Sequence, residues 1–327
     1  MRLILTVNSS SAGALKHAGR ADLVIPIERR FVWGPPPADA ELVAYLAPRT
    51  TQKPGAHWLD HVGRPITTDI GTTDVGLVDL FRRYEAVELW METEPSAQLV
   101  LIWLLDHLHS HSQPLNDIIL RHVDSTLVDA EPDHRPKWTF PGVEITSDHL
   151  ETATRAWHAY REPTPQAWFN LLKSDLSIPP QLRRCVLELL EELPGRTTGL
   201  GASEMRILEL ISAGYEHPSE VFPHYRQRFQ RRVFDYWEVG ALLEGLALAP
   251  VRAVSGLAEW PFTIEMHNQK SRLDRYKASR LSLTPLGKAI LEQAEDFSRH
   301  NPIHRWWGGT ELTNNRLWRW DPTLIAP

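Results

Sequence analysis

Residues 281–297 read LSLTPLGKAILEQAEDF, and their reading decides the fold of the last third of the chain. Thr284 carries the short hydroxyl side chain that caps a helix start, and Pro285 fits the first helical turn, where its missing N–H has no partner to lose. Working backwards, Arg280 to Leu283 is a β-like run that leads straight into this helix. Before it come two more β-like pieces, Val251 to Val254 and Phe262 to Met266. These follow an amphipathic stretch from Val233 to Leu248 that is stopped by Ala249 and Pro250. Earlier still, after the glycine-rich turn at 199–201, Ser203 can cap a helix running to Ala213, with Gly214 as its end.

Helix, helix, strand, strand, helix, with the phrase LSLTPLGKAIL, resembles the winged-helix regulators, in which a returning wing strand ends in a Leu-Thr-Pro-x-Gly helix start. In such domains a helix reads base edges and the wing touches phosphates. Two stretches have the charge for phosphate contact: Arg226, Arg228, Arg231 and Arg232, and then Lys270, Arg272, Arg275, Lys277 and Arg280, interrupted by Asp274 alone. The helix placed to read bases, DYWEVGALLEGLAL at 235–248, carries Asp235, Glu238 and Glu244 and no Lys or Arg. The expectation is a module that contacts nucleic acid or a protein partner through the arginine stretch or the wing, without base reading.

The first 130 residues alternate short β-like runs with helical stretches, as expected of a Rossmann-like α/β domain with a mostly parallel sheet. The predicted strands are Leu3 to Val7, Leu23 to Ile27, Ala86 to Met91 and Ile118 to Val123; the predicted helices are Ala12 to Ala18, Ala38 to Leu46, Val75 to Tyr84 and Ser96 to His109. A stretch rich in Pro, Asp and His follows, read as a linker over 131–145. Helical periods at 147–160, 164–173 and 180–193, punctuated by Pro163, Pro165, Pro179 and Pro180, predict a helical bridge over 146–198. Residues 199–327 then form the winged-helix-like domain, whose tail holds Trp306, Trp307, Trp318 and Trp320 and is expected to pack back on its own body.

Ligands of open α/β sheets bind outside the carboxyl ends of the strands. Three groups of residues should meet there. Asn8, Ser9, Ser10 and Ser11 follow the first strand and open a helix, offering amides and hydroxyls to an anion, or merely a cap. Arg29, Arg30 and Trp33 follow the second and offer a guanidinium fork and a stacking ring. Glu92, Glu94 and Gln98 follow the third, as acid-base groups or as a favourable helix start. A small anionic ligand is the expectation; an enzyme acting on a phosphate- or carboxylate-bearing substrate is the alternative. His107, His109 and His111 lack a carboxylate or cysteine pattern beside them, so no metal is expected, and no motif identifies a cofactor.

Composition narrows the rest. A chain of 327 residues with 42% apolar and 23% charged residues has room for two or three folded domains. A net charge of −6 gives no overall attraction for phosphate backbones. Cys185 is the sole cysteine, which excludes an internal disulfide and a multi-thiolate metal site, and its apolar neighbours mark it as a buried thiol. No segment reaches the ~18 apolar residues of a membrane span, and the start MRLILTVNSS is too short an apolar run for a signal peptide, so a cytoplasmic protein without membrane contact is expected.

Several phrases together resemble the bacterial family designated domain of unknown function 1835. They are AWHAYREPTPQAW at 156–168, LELLEELPGRTTGLGASEMRIL at 187–208, LTPLGKAIL at 283–291 and RWWGGTELTNNRLWRWD at 305–321. At the amino-terminal side they are SSSAGALKHAG at 9–19, IERRFVWGP at 27–35 and ELWMETEPSAQLVLIWLL at 88–105. Members of that family often carry a His in the first strand and Gly-Asp in the loop after it; this chain has Ile4, Asn8 and Ser9 there. The resemblance implies the architecture and no activity.

Overall fold

A computed structural model describes residues 1–50, 53–62, 75–111, 117–123, 139–227 and 233–327, with side chains omitted at 224–227. The chain divides into two compact units: Met1–Phe31, Pro36–Arg161 and Ser174–Arg183 form the first, and Val32–Pro35, Glu162–Lys173 and Arg184–Pro327 the second.

The first unit is mixed α/β, built on a five-stranded sheet in the order β2-β1-β3-β4-β5. Strands β1 (Arg2–Thr6), β2 (Leu23–Pro26), β3 (Ala86–Glu92) and β4 (Ile118–Val123) run parallel, and β5 (Gly142–Glu144) runs antiparallel to β4. Near-continuous apolar runs such as LILT and LVIP suit strands covered on both faces. Register fixes the faces: Ile4, Val24, Trp90 and Val123 gather with Ala12 and Leu15 of helix α1 (Ser9–His17) in one cluster. Helix α2 (Asp39–Leu46) follows β2, and α3 (Leu77–Phe81) precedes β3. Pro95 opens α4 (Pro95–His109), whose residues Leu99 to Leu105 are all buried and which packs against α5 (Ser147–Arg161). Two expectations change. Part of the 131–145 linker, Gly142–Glu144, is the fifth strand, while 124–138 lie outside the described residues. The 146–198 bridge is split, with α5 in the first unit and α6 (Gln166–Asn170) in the second.

In the second unit, α7 (Leu182–Leu190), most of which belongs here, is followed by α8 (Ala202–Ser212), α9 (Pro218–Gln227) and α10 (Tyr236–Leu248). Gly201, not Ser203, caps α8: Glu204 reaches back to the Gly201 N–H at 2.8 Å, and Ser203 lies buried in the first turn. The antiparallel pair β6 (Val254–Ser255) and β7 (Ser282–Leu283) brackets two short helices, α11 (Ile264–His267) and α12 (Lys270–Lys277). The expected strand from Phe262 to Met266 is therefore overturned. Thr263 caps α11 by accepting from the Met266 N–H, and Phe262 and Met266 both reach the core from this helical arrangement.

Thr284 and Pro285 open α13 (Pro285–Leu291) as expected, with the Thr284 hydroxyl accepting from Gly287 N–H at 3.2 Å. Gly287 is required there because a Cβ would collide with the Ala253 carbonyl oxygen of the incoming strand. Ile207, Leu210, Leu243, Leu246, Phe262, Tyr276 and Ile290 form the core of this unit. The chain ends in α14 (Phe297–His300) and the small antiparallel pairs β8 (His304–Trp307) with β9 (Thr310–Thr313) and β10 (Arg319–Trp320) with β11 (Leu324–Ile325). The tail is anchored: Trp307 Nε1 donates to the Leu189 carbonyl at 2.7 Å, the Trp320 ring meets Phe169, and Arg319 pairs with buried Asp296 at 2.7 Å.

Candidate functional site

In the order β2-β1-β3 the chain leaves β1 towards one flank and later returns on the other, so the crevice of interest lies outside the carboxyl ends of β1 and β3. The side chains that meet there come from the loop after β1 and the end of β3. Asn8 Nδ2 donates to Glu92 Oε1 at 3.1 Å, and the Ser11 hydroxyl donates to the same oxygen at 2.9 Å. The Asn8 Oδ1 meanwhile caps α1 by accepting the Ser11 N–H at 2.7 Å. Gln98, buried on α4, donates to the Glu92 carbonyl at 2.6 Å. Four expected site residues are thus brought together, and they satisfy one another.

The start of α1 is also supplied with a carboxylate from within. Glu28, two residues beyond β2, accepts from the Ser9 N–H at 2.9 Å and from the Ser9 hydroxyl. This carboxylate takes the place at the helix start where an external anion was expected, favoured by the same amide and helix dipole. Ser10 is exposed beside it. Sequence reasoning passed over Glu28 because nothing in a 19-residue separation announces the contact, although an acid at a strand's carboxyl end was a signal available to find it.

Glu28 also faces His61 Nδ1 at 3.3 Å. The His61 ring lies against Tyr45, with ring centroids 6.5 Å apart, and the Arg29 guanidinium carbon stands 4.1 Å over the same tyrosine ring. Tyr45 is fully buried; burial pushes its phenol up, partly offset by the Arg29 charge. Arg29 Nη1 pairs with Glu41 at 3.3 Å, whereas Arg29 Nε and Nη2 and His61 Nε2 are buried and have no hydrogen-bond partner among the described residues. Arg29 is therefore half of an expected fork turned inward, while Arg30 is exposed. Trp33 belongs to the second unit, where its half-exposed ring meets Phe234, and is not a member of this group. Glu94 occupies the N-cap position of α4 without a side-chain cap bond.

Of the histidines read for metal, His107 and His111 have ring centroids 4.7 Å apart, and His109 meets Thr154 at 3.0 Å. Burial and the neighbouring His111 push His107 down to about 4. No group of three or more His, Cys, Asp or Glu side chains suited to a metal occurs among the described residues.

The basic residues of the second unit divide. Arg228, Arg231 and Arg232 lie outside the described residues, and Arg226 lies on α9 with its side chain undescribed. Lys270, Arg272, Arg275 and Lys277, expected as a basic strip of the wing, lie on the helix α12, and Arg280 follows it. Glu259 pairs with both Arg272 at 3.1 Å and Arg275 at 2.5 Å, which hold its carboxyl below the usual range. Arg280 stands 4.0 Å from Glu216. At the start of α10, by contrast, Tyr236 and Trp237 are exposed over Phe262, at ring-centroid distances of 4.8 and 5.1 Å. Ile264 and Trp260 are exposed on the adjoining segment.

Comparison with protein-family models and with curated proteins finds no match to this chain. Among the described residues no helix is long and apolar enough to cross a membrane.

Proposed function

We propose that the chain is a regulatory or interaction protein of the bacterial cytoplasm, with a Rossmann-like first unit that receives a small anion and a winged-helix second unit that engages a protein partner. The observation that carries the partner half is the exposed pair Tyr236 and Trp237 at the start of α10, because large aromatics left in solvent beside Trp260 and Ile264 are what interfaces bury. The order α8, α9, α10, β6, β7, α13 supports the winged-helix assignment, with α11 and α12 standing where a bare wing would be. Membership of the domain of unknown function 1835 family belongs to the same proposal and rests on the phrases quoted above. Protein is favoured over nucleic acid because α10 opens on Asp235 and Glu238, and because two cations of the expected strip are already held by Glu259.

A photoreactive residue placed at position 237 of the full chain, used in bacterial extract, should give a protein cross-link of discrete mass that Tyr236→Ala weakens. Salt-dependent binding of duplex or single-stranded DNA at low ionic strength, lost in Trp237→Ala, would replace the protein partner with nucleic acid. The enzyme alternative, with Glu92 or Glu94 as base and Arg29 or Arg30 holding a substrate, gains no specific observation: Glu92 Oε1 already accepts from Asn8 and Ser11.

A further inference from the structure

We infer that Arg29 is the receptor for a small carboxylate, taken side-on by its Nε and Nη2 edge against the Tyr45 ring. The inference rests on the first half of the proposed function, that the unit binds a small anion, and names the residue and the ligand class. An arginine is never neutral in a protein, and a buried charged donor without an acceptor is among the costlier groups to leave unsatisfied. The Arg29 side chain is only 15% exposed, its Nη1 is used by Glu41, and its face is used by Tyr45. What is left is the one edge of the guanidinium, Nε with Nη2, whose two parallel N–H groups match the two oxygens of a carboxylate.

His61 adds a third buried nitrogen without a partner among the described residues, on the same aromatic cluster. With Nδ1 turned to Glu28, its Nε2 donates a hydrogen bond to the carboxylate when the ring is protonated. Carboxylate is favoured over phosphate by the local charge. Glu41 and Glu28 both flank the group, so a singly charged planar anion meets less repulsion than a phosphate dianion while making the same paired contact.

The test follows the Arg29 Nε–H signal by NMR in the nitrogen-15-labelled full chain, assigned by its disappearance in Arg29→Lys. Sodium acetate is titrated in, with sodium phosphate in parallel at matched ionic strength. Acetate should shift this signal saturably, and the acetate-induced rise in melting temperature should be absent in Arg29→Lys, which keeps the charge and loses the paired edge. Glu41→Gln, at a side chain 56% exposed, should fold normally and bind acetate several-fold more tightly. Equal acetate stabilisation in the parent and Arg29→Lys would overturn the inference. Saturation by phosphate with acetate silent would overturn the carboxylate while leaving the anion-binding reading in place, and silence to both would remove both.

Discussion

Each unit buries a carboxylate inside its core, and the two are stabilised in opposite ways. In the first, Glu88 of β3 has a side chain 6% exposed and accepts from Arg121 Nε at 2.8 Å and from Trp90 Nε1 at 2.6 Å, with Arg2 at 3.7 Å. Burial pushes its carboxyl up, but the Arg121 and Trp90 hydrogen bonds and the two cations together hold it below the usual range. In the second, Glu192 accepts from the Ser203 hydroxyl at 2.7 Å and the Ser203 N–H at 3.1 Å, both neutral donors. Arg206 acts on it only as a charge without a hydrogen bond to it, and Arg305 pairs with Glu204 at 2.7 Å. Burial therefore dominates and pushes Glu192 up to about 7, against the lowering effect of its Ser203 bonds. The same side chain is a fixed charge in one core and close to a neutral acid in the other, and the difference lies in whether a cation hydrogen-bonds to it.

The largest effect expected from this contrast is at Arg121. Arg121→Met removes the cation and leaves Glu88 buried with only Trp90 and the more distant Arg2, so a loss on the order of 3 kcal/mol should appear in urea unfolding. A change of well under ~1 kcal/mol would mean that solvent already screens the pair, as in exposed ion pairs. The effect should shrink at acid pH. Because the folded Glu88 pKa is depressed, its contribution is present above the ordinary carboxylate range and is lost as pH falls through the folded value.

Glu192 should behave with the opposite sign. Its folded pKa is raised, so stability is fully present below the ordinary value of about 4.3 and falls as pH climbs from there to about 7. The total by pH 7 should be on the order of 3 kcal/mol. Glu192→Gln removes the titration, and its carbonyl can face the Ser203 N–H while its amide donates to the hydroxyl, which turns to accept. The variant should flatten the decline and be the more stable chain at pH 8. An unchanged pH profile would show that Glu192 ionises without penalty.

How much of this could be read beforehand differs between the units for a physical reason. The four parallel strands were legible because each is a short apolar run between turn-forming residues, and the start of α13 because Thr284 and Pro285 act through local chemistry. Strand β5 was not, since Gly-Val-Glu is too short to show a period and owes its pairing to β4. Phe262 to Met266 misled because alternating large apolar residues suit a strand and a capped helical turn equally. At the candidate site, the adjacency of Asn8, Ser11 and Glu92 followed from strand order, but Glu28 on Ser9 and the inward turn of Arg29 depend on side-chain geometry across separated segments.

The smallest effect is the one that best separates the two modes of burial. Ser203→Ala deletes one of the two neutral donors to Glu192 while leaving the backbone N–H in place. Below pH 5 the carboxyl is protonated, and only an ordinary hydrogen bond is lost, about 1 kcal/mol. Above pH 8 it is ionised, and the bond lost is charge-assisted, with a typical value of about 1.5–3 kcal/mol. The same deletion should push the carboxyl further above about 7, because a lowering contribution is removed and burial is unchanged. Unfolding measured at both pH values therefore reads the protonation state directly: a loss that grows with pH means the core holds a neutral acid that is forced to ionise. A loss equal at both would mean that Glu192 is already charged at pH 5 and is matched by Arg206, the cation that lowers it, which would make the second core resemble the first.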